Sequence, residues 1–221
     1  MRSGPATRII IILNCLVVAI SVILPLARLP DYVHEWMPLQ VDSLLAGAWW
    51  EFFTTMWVHA PFYGWGVLHI AFNMITLSMF GRFIEQEIGI RRYLALYFIS
   101  GFVASLCFIA EALVRAHFLG DSQMLEVSVM GASGAVSGVL GAFAVFSPRT
   151  PLYVMLIPIP IKARTAIWGF IIVSAVLMFT SSAEVIAHSA HIGGALTGLL
   201  FAWLLKRRYA ANNEPPPLPL P

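Results

Sequence analysis

Apolar and polar positions alternate along this chain on a long scale. Six apolar windows, at about 9–27, 66–83, 93–113, 132–146, 163–180 and 188–205, are separated by polar or charged stretches. A helix needs roughly 20 apolar residues to cross a hydrocarbon core of about 30 Å, and the windows are of that order. No period-two strand pattern, internal repeat or soluble domain is visible. The pattern predicts an all-α membrane protein, a six-helix bundle over 9–206. A short leader at 1–8 precedes it and a Pro-rich tail at 207–221 follows. Arg2 and Arg8 ahead of the first window resemble a signal-peptide n-region. The apolar run is too long for an h-region, however, and no Ala-x-Ala site follows, so it reads as a span.

Charge gives the bundle a direction. With the amino terminus inside, Arg2, Arg8, Arg82, Arg91, Arg92, Arg149, Lys162, Arg164, Lys206, Arg207 and Arg208 fall on inner segments, leaving Arg28 and Arg115 outside. That asymmetry predicts two cytoplasmic termini and an even number of crossings. Composition agrees, with 59% hydrophobic and 11% charged residues, and the net charge of +2 points to no nucleic-acid partner. Cys15 and Cys107 lie inside windows as expected small core residues. No metal motif is present and no cofactor is expected. The external loop, about 28–65, holds Trp36, Trp49, Trp50, Trp57 and Trp65, a composition suited to the membrane interface. The tail "EPPPLPLP" reads as a solvated or polyproline II end.

Polar residues inside spans are costly unless they face protein or water, so they mark candidate chemistry. They are Ser133 in "GASGAVSGVLGA", His69 and Asn73 in "HIAFNM", and His188 and His191 in "AHSAHIGGALTGLL". The topology sends the second, fourth and sixth helices inward from the external face. His69, Ser133 and His191 therefore share one end of the bundle. The fourth window is too short to cross alone: from Ser133 to Phe146 it reaches only about 21 Å at 1.5 Å per residue. Residues 127–131 must then descend as irregular backbone beside an external water cavity. Gly134, Gly138 and Gly141 on the fourth helix, with Gly194 and Gly198 on the sixth, predict close packing of these two helices. A lone serine in such a segment ordinarily bonds a carbonyl one turn back. The joint placement favours chemistry instead: Ser133 as nucleophile, His191 as base, and His69 with Asn73 one turn away as oxyanion donors. His59 and His188 read as structural or surface residues.

These three motifs, in this order and on these helices, resemble the rhomboid family of intramembrane serine proteases over about residues 8–206. The resemblance implies a Ser133–His191 dyad with no acid. It implies an oxyanion site of His69, Asn73 and the Ser133 backbone amide, and transmembrane-protein substrates cut near the external face. A multi-pass protein of the bacterial cytoplasmic membrane is the expected setting, with the lipid bilayer as surroundings. Neither a particular substrate nor an oligomeric state is indicated. "WWEFFTTMWVHA" resembles the family's first-loop segment, but Glu51 follows Trp50 where an arginine is common. Glu85 and Gly89 resemble the polar turn after the second span. Ser137 stands where some members carry an aromatic ring packed on the catalytic imidazole. A non-catalytic rhomboid-like docking protein or chaperone and a small-solute transporter are the rival readings.

Overall fold

The computed structural model describes residues 4–61, 65–153, 159–180 and 187–212. The tail sequence at 214–221 lies outside them. Helix α1 is Pro5–Leu26, starting four residues before the expected window because proline is accepted at a helix start. The loop that follows folds into short helices α2 (Tyr32–Trp36), α3 (Val41–Leu45) and α4 (Glu51–Thr54), each too brief to register as a helical period. The second window is α5 (Trp65–Thr76), a π-turn Leu77–Gly81, and α6 (Arg82–Ile88). Gly89, at φ 81°, then turns the chain into α7 (Ile90–Phe118). A 3-10 turn (Ser122–Leu125) leads to α8 (Ser133–Phe146). Two antiparallel two-residue strands, β1 (Pro151–Leu152) and β2 (Ile161–Lys162), precede α9 (Ala163–Thr180) and α10 (His188–Ala211). The sequence showed no strand, and a two-residue ladder is too short for alternation to reveal.

Among the described residues, apolar helices fall at the expected windows. Four are long and apolar enough to cross a membrane: Pro5–Leu26, Gly66–Ile88, Ile90–Phe118 and His188–Ala211. Ser133–Phe146 and Ala163–Met178 are shorter.

Helix α8 lies at the centre, with Gly134 to Gly138 buried without interruption and Val139, Gly141, Ala142, Phe143 and Ala144 buried beyond them. A helix apolar on every side is one surrounded by others. The main core joins it to Leu77, Ile84, Tyr93, Leu96 and Tyr97, with Phe80 and Phe83 edge-on to Phe143 at 4.7 and 5.0 Å. Cys107 is half-buried, but Cys15 is exposed on the outer side of α1, which corrects its expected core position. A window that is apolar all round does not say which face turns to protein. In the loop, Trp36, Trp49 and Trp50 are exposed, as an interfacial aromatic belt requires.

At the end of the bundle away from Ser133, the buried Glu85 carboxylate accepts from Ala6 N and Thr7 N at 2.9 Å each and from Thr7 Oγ1 at 2.7 Å. It supplies α1 with the capping acceptor that Gly4 cannot.

Candidate active site

Helices α8 and α10 meet backbone to backbone. A Cβ on Gly194 would stand 2.8 Å from the Gly134 carbonyl carbon, one on Gly198 would be 2.7 Å from Gly138 Cα, and one on Gly141 would be 2.9 Å from Leu199 N. The expected contact is therefore present, with one correction. The open sides of Gly134 and Gly138 face α7, at Ala104 and Ser100, while their carbonyls bear on α10. Spacing identifies a thin face without naming its neighbour, and α8 uses its glycines against two helices. Gly193, which the spacing argument left out, lets Cys107 of α7 approach to 2.5 Å from where its Cβ would be.

This contact brings the first turns of α8 and α10 together. Ser133 Oγ lies 2.8 Å from His191 Nε2. Ser133, His191, His69 and Asn73 all line a cavity of about 480 Å³. Ser137 is buried one turn below Ser133 and supplies no ring. The aromatic neighbour of His191 comes from α9 instead: Phe170 lies 5.9 Å away between ring centroids at a 37° tilt. Motif reading missed Phe170, since an apolar residue in an apolar helix carries no signal of its own.

The backbone entering α8 is irregular, and its groups are satisfied by the first loop. Val129 and Leu39 exchange N–H to O bonds of 2.8 Å in both directions, Thr55 Oγ1 donates to the Val129 carbonyl at 2.7 Å, and Gly131 N donates to the Thr55 carbonyl at 2.9 Å. Irregular backbone at depth is tolerated under those conditions. Gly131 has φ +127°, a conformation side chains rarely adopt, and a Cβ there would be 2.7 Å from His69 Nε2. The missing side chain is what lets the His69 ring sit in front of the serine. Ser133 N, at the first position of its helix, has no acceptor within that helix. Asn73 Nδ2 donates to the His69 carbonyl at 3.0 Å, which leaves the second N–H of the amide unused by that bond.

The His59 ring is 1% exposed and 5.1 Å from that of His69, so it is structural rather than superficial. Burial, with the His69 ring beside it, pushes His59 down to about 3 and keeps it neutral. Glu51 is buried as well, accepting from Ser43 Oγ at 2.6 Å and Gln40 N at 3.0 Å. The acidic residue thus closes the first loop upon itself, next to the Leu39–Val129 pair. Among the described residues no three His, Cys, Asp or Glu side chains are grouped to hold a metal.

Residues 46–208 match the model of the rhomboid domain. This chain belongs to the rhomboid family. Its similarity to RHOMBOID-like protein 5 of Arabidopsis thaliana is 34% identity over 167 residues, 74% of this chain and 47% of that protein. Rhomboid protease GluP of Bacillus subtilis is 30% identical over 73% of this chain and 27% of its own length. Rhomboid protein 1, mitochondrial, of Saccharomyces cerevisiae is 27% identical over 66% of this chain and 40% of its own. This rhomboid spans less than half the length of these relatives. Its apolar helices and its family make it an integral membrane protein. The family includes mitochondrial members, so membership alone does not select the bacterial membrane expected from the sequence.

Proposed function

We propose that this rhomboid is an intramembrane serine endopeptidase that hydrolyses a peptide bond in or near a substrate's transmembrane segment. The observation that carries the reading is the 2.8 Å approach of Ser133 Oγ to His191 Nε2 at the wall of a cavity of about 480 Å³. In this mechanism Ser133 Oγ attacks the scissile carbonyl carbon while His191 Nε2 takes the hydroxyl proton. The oxyanion receives the Ser133 backbone N–H, the second Asn73 N–H and the His69 ring. When the C–N bond breaks, the proton passes from His191 to the leaving amine. A water molecule from the cavity then gives its proton to His191 and attacks the acyl carbon. Serine leaves with that proton restored, and the carboxyl product is released.

A spanning helix hides its own carbonyls, so a substrate must unwind locally, which Gly or Pro near the cleaved bond favours. Six crossings, cytoplasmic termini and residence in a bacterial cytoplasmic membrane belong to the same proposal. A docking protein would need the fold without the dyad, and a transporter would place its polar site near the midplane between inverted repeats. The test is cleavage of a fluorescent transmembrane peptide by purified protein in detergent. Wild type should cleave and Ser133→Ala should not; equal cleavage by both would overturn the assignment.

A further inference from the structure

The first loop reaches the candidate site through one peptide group. His34, on α2, has both ring nitrogens on oxygen atoms: Nδ1 is 2.7 Å from Asp31 Oδ2, and Nε2 is 2.8 Å from the His59 carbonyl oxygen. A carboxylate and a carbonyl only accept, so both bonds are filled together only when each ring nitrogen carries a hydrogen. Asp31 is itself fixed, since its other oxygen accepts from His34 N at 3.3 Å as the cap of α2. A bond assisted by charge in this way is strong for its kind and orients the ring.

The other side of the same peptide meets the site. Ala60 N, bonded to the His59 carbonyl carbon, donates to His69 Nδ1 at 3.5 Å. In a trans peptide the carbonyl and the N–H point opposite ways, so this one group passes between the two imidazoles. The bond is long, and bonds of this kind tighten in the complex with substrate. Its direction decides the tautomer: a nitrogen that receives an N–H holds no hydrogen, so the hydrogen of the His69 ring is on Nε2. Nε2 is the atom turned to the serine, since a Cβ on Gly131 would lie 2.7 Å from it and 3.6 Å from Ser133 Oγ. His59 adds a second constraint through its ring, 5.1 Å from that of His69 between centroids. A histidine donates to an oxyanion only in the tautomer that its other nitrogen's partner selects.

We propose that His34 is a positioning residue for His69: held by Asp31, it grips the peptide between His59 and Ala60, and the N–H of that peptide keeps the His69 hydrogen on Nε2, where the oxyanion forms. Hydrogen bonds in a chain polarise one another, so the bond from His34 to the carbonyl also makes the Ala60 N–H a stronger donor. The first loop then serves the reaction without placing a group on the reacting atoms. The bland alternative is that His34 merely satisfies the carbonyl of a residue that is 1% exposed. The two differ in whether the effect passes through the His69 ring.

The inference rests on the protease reading, and the experiment separates the two. Wild type, Ser133→Ala, His34→Ala, His34→Gln, His34→Asn, His69→Ala and the double variant of His34→Ala with His69→Ala are compared in detergent. Steady-state cleavage of a fluorescent transmembrane peptide gives kcat and KM, thermal melting gives stability, and the nitrogen NMR shifts of the His69 ring give its tautomer. Expected for His34→Ala is a kcat about 10- to 100-fold lower with KM little changed, the range for a slightly misplaced donor, and a His69 ring divided between tautomers. Glutamine sets its amide nitrogen near the place of histidine Nε2 and should restore most of kcat, whereas asparagine, which reaches only as far as Nδ1, should not. In the His69→Ala background, His34→Ala should cost no more than about twofold further, because it acts through that ring alone. A kcat for His34→Ala within twofold of wild type would overturn the proposal, as would losses that multiply in the double variant or a His69 tautomer that does not change. A lowered melting temperature with equal kcat losses in His34→Gln and His34→Asn marks a packing role and also overturns it. If wild type does not cleave, the protease reading fails and this inference with it. If wild type cleaves, Ser133→Ala does not, and His34→Ala matches wild type, this inference alone fails.

Discussion

The two halves of the candidate site are held in different ways. Ser133 and His191 stand on helices whose backbones touch through glycine, one of them buried on every side. His69 and Asn73 stand on α5, which leaves Val67, Leu68, Phe72 and Ile75 exposed, and they are fixed by the first loop and by the bare backbone of Gly131. The dyad distance is therefore set by helix packing, which is stiff. The side with His69 and Asn73 is set by loop hydrogen bonds and a ring contact, softer constraints than packed backbones. A site that must bind its target weakly at rest and strongly in the transition state can use that division.

The comparison makes predictions of decreasing size on activity. Ser133→Ala and His191→Ala should each lower kcat by about 10⁴-fold or more at unchanged melting temperature, and the double variant should be scarcely worse than either, as for residues acting as one unit. Kinetics that multiply in the double variant would show that the two act separately. Gly198→Val strikes the stiff half. Its side chain meets backbone that cannot yield, so activity should be lost along with about 3 kcal/mol of stability, or roughly 6 to 12 °C in Tm. A fully active, equally stable Gly198→Val would break the comparison at its root.

Asn73→Ala strikes the adjustable half. It should lower kcat by roughly 10- to 1,000-fold with KM little changed, and His69→Ala should behave alike. An unchanged kcat with a lowered melting point would make Asn73 a structural residue, its loss costing about 0.6 kcal/mol as for an average intramembrane hydrogen bond. Glu85→Ala, at the far end, should cost about 1 to 3 kcal/mol of stability by stranding Ala6 N–H and Thr7 N–H, while kcat stays within twofold. A large kcat effect there would mean that the far end communicates with the site.

Much of this was legible because its signals are local. Ala163–Thr180 and Ser133–Phe146 lie at or within one residue of the expected windows, and the glycine spacing on α8 and α10 announced their contact. What escaped depends on neighbours distant in sequence. The π-turn at Leu77–Gly81 leaves an apolar window apolar, and whether Gly134 faces α7 or α10 is decided by how three helices assemble. Ser137 suggested an unsupported imidazole, yet Phe170 reaches His191 from another helix. Glu51 looked like a departure at an arginine position, and its meaning lies in Gln40 and Ser43, which no motif includes.

The Glu85 carboxylate has a consequence for biogenesis. It lies 78 and 79 residues after the amides it receives, so α1 is translated, and can enter the bilayer, well before its cap exists. At roughly 5 to 20 residues per second, that interval is about 4 to 16 s. During it the first turn of α1 must be solvated by water or headgroups, and it can lock only when α6 arrives. Helix α1 is thus completed only after the next span has been made, and slowing the ribosome between the codons for Thr7 and Glu85 would prolong its exposure to quality-control proteases.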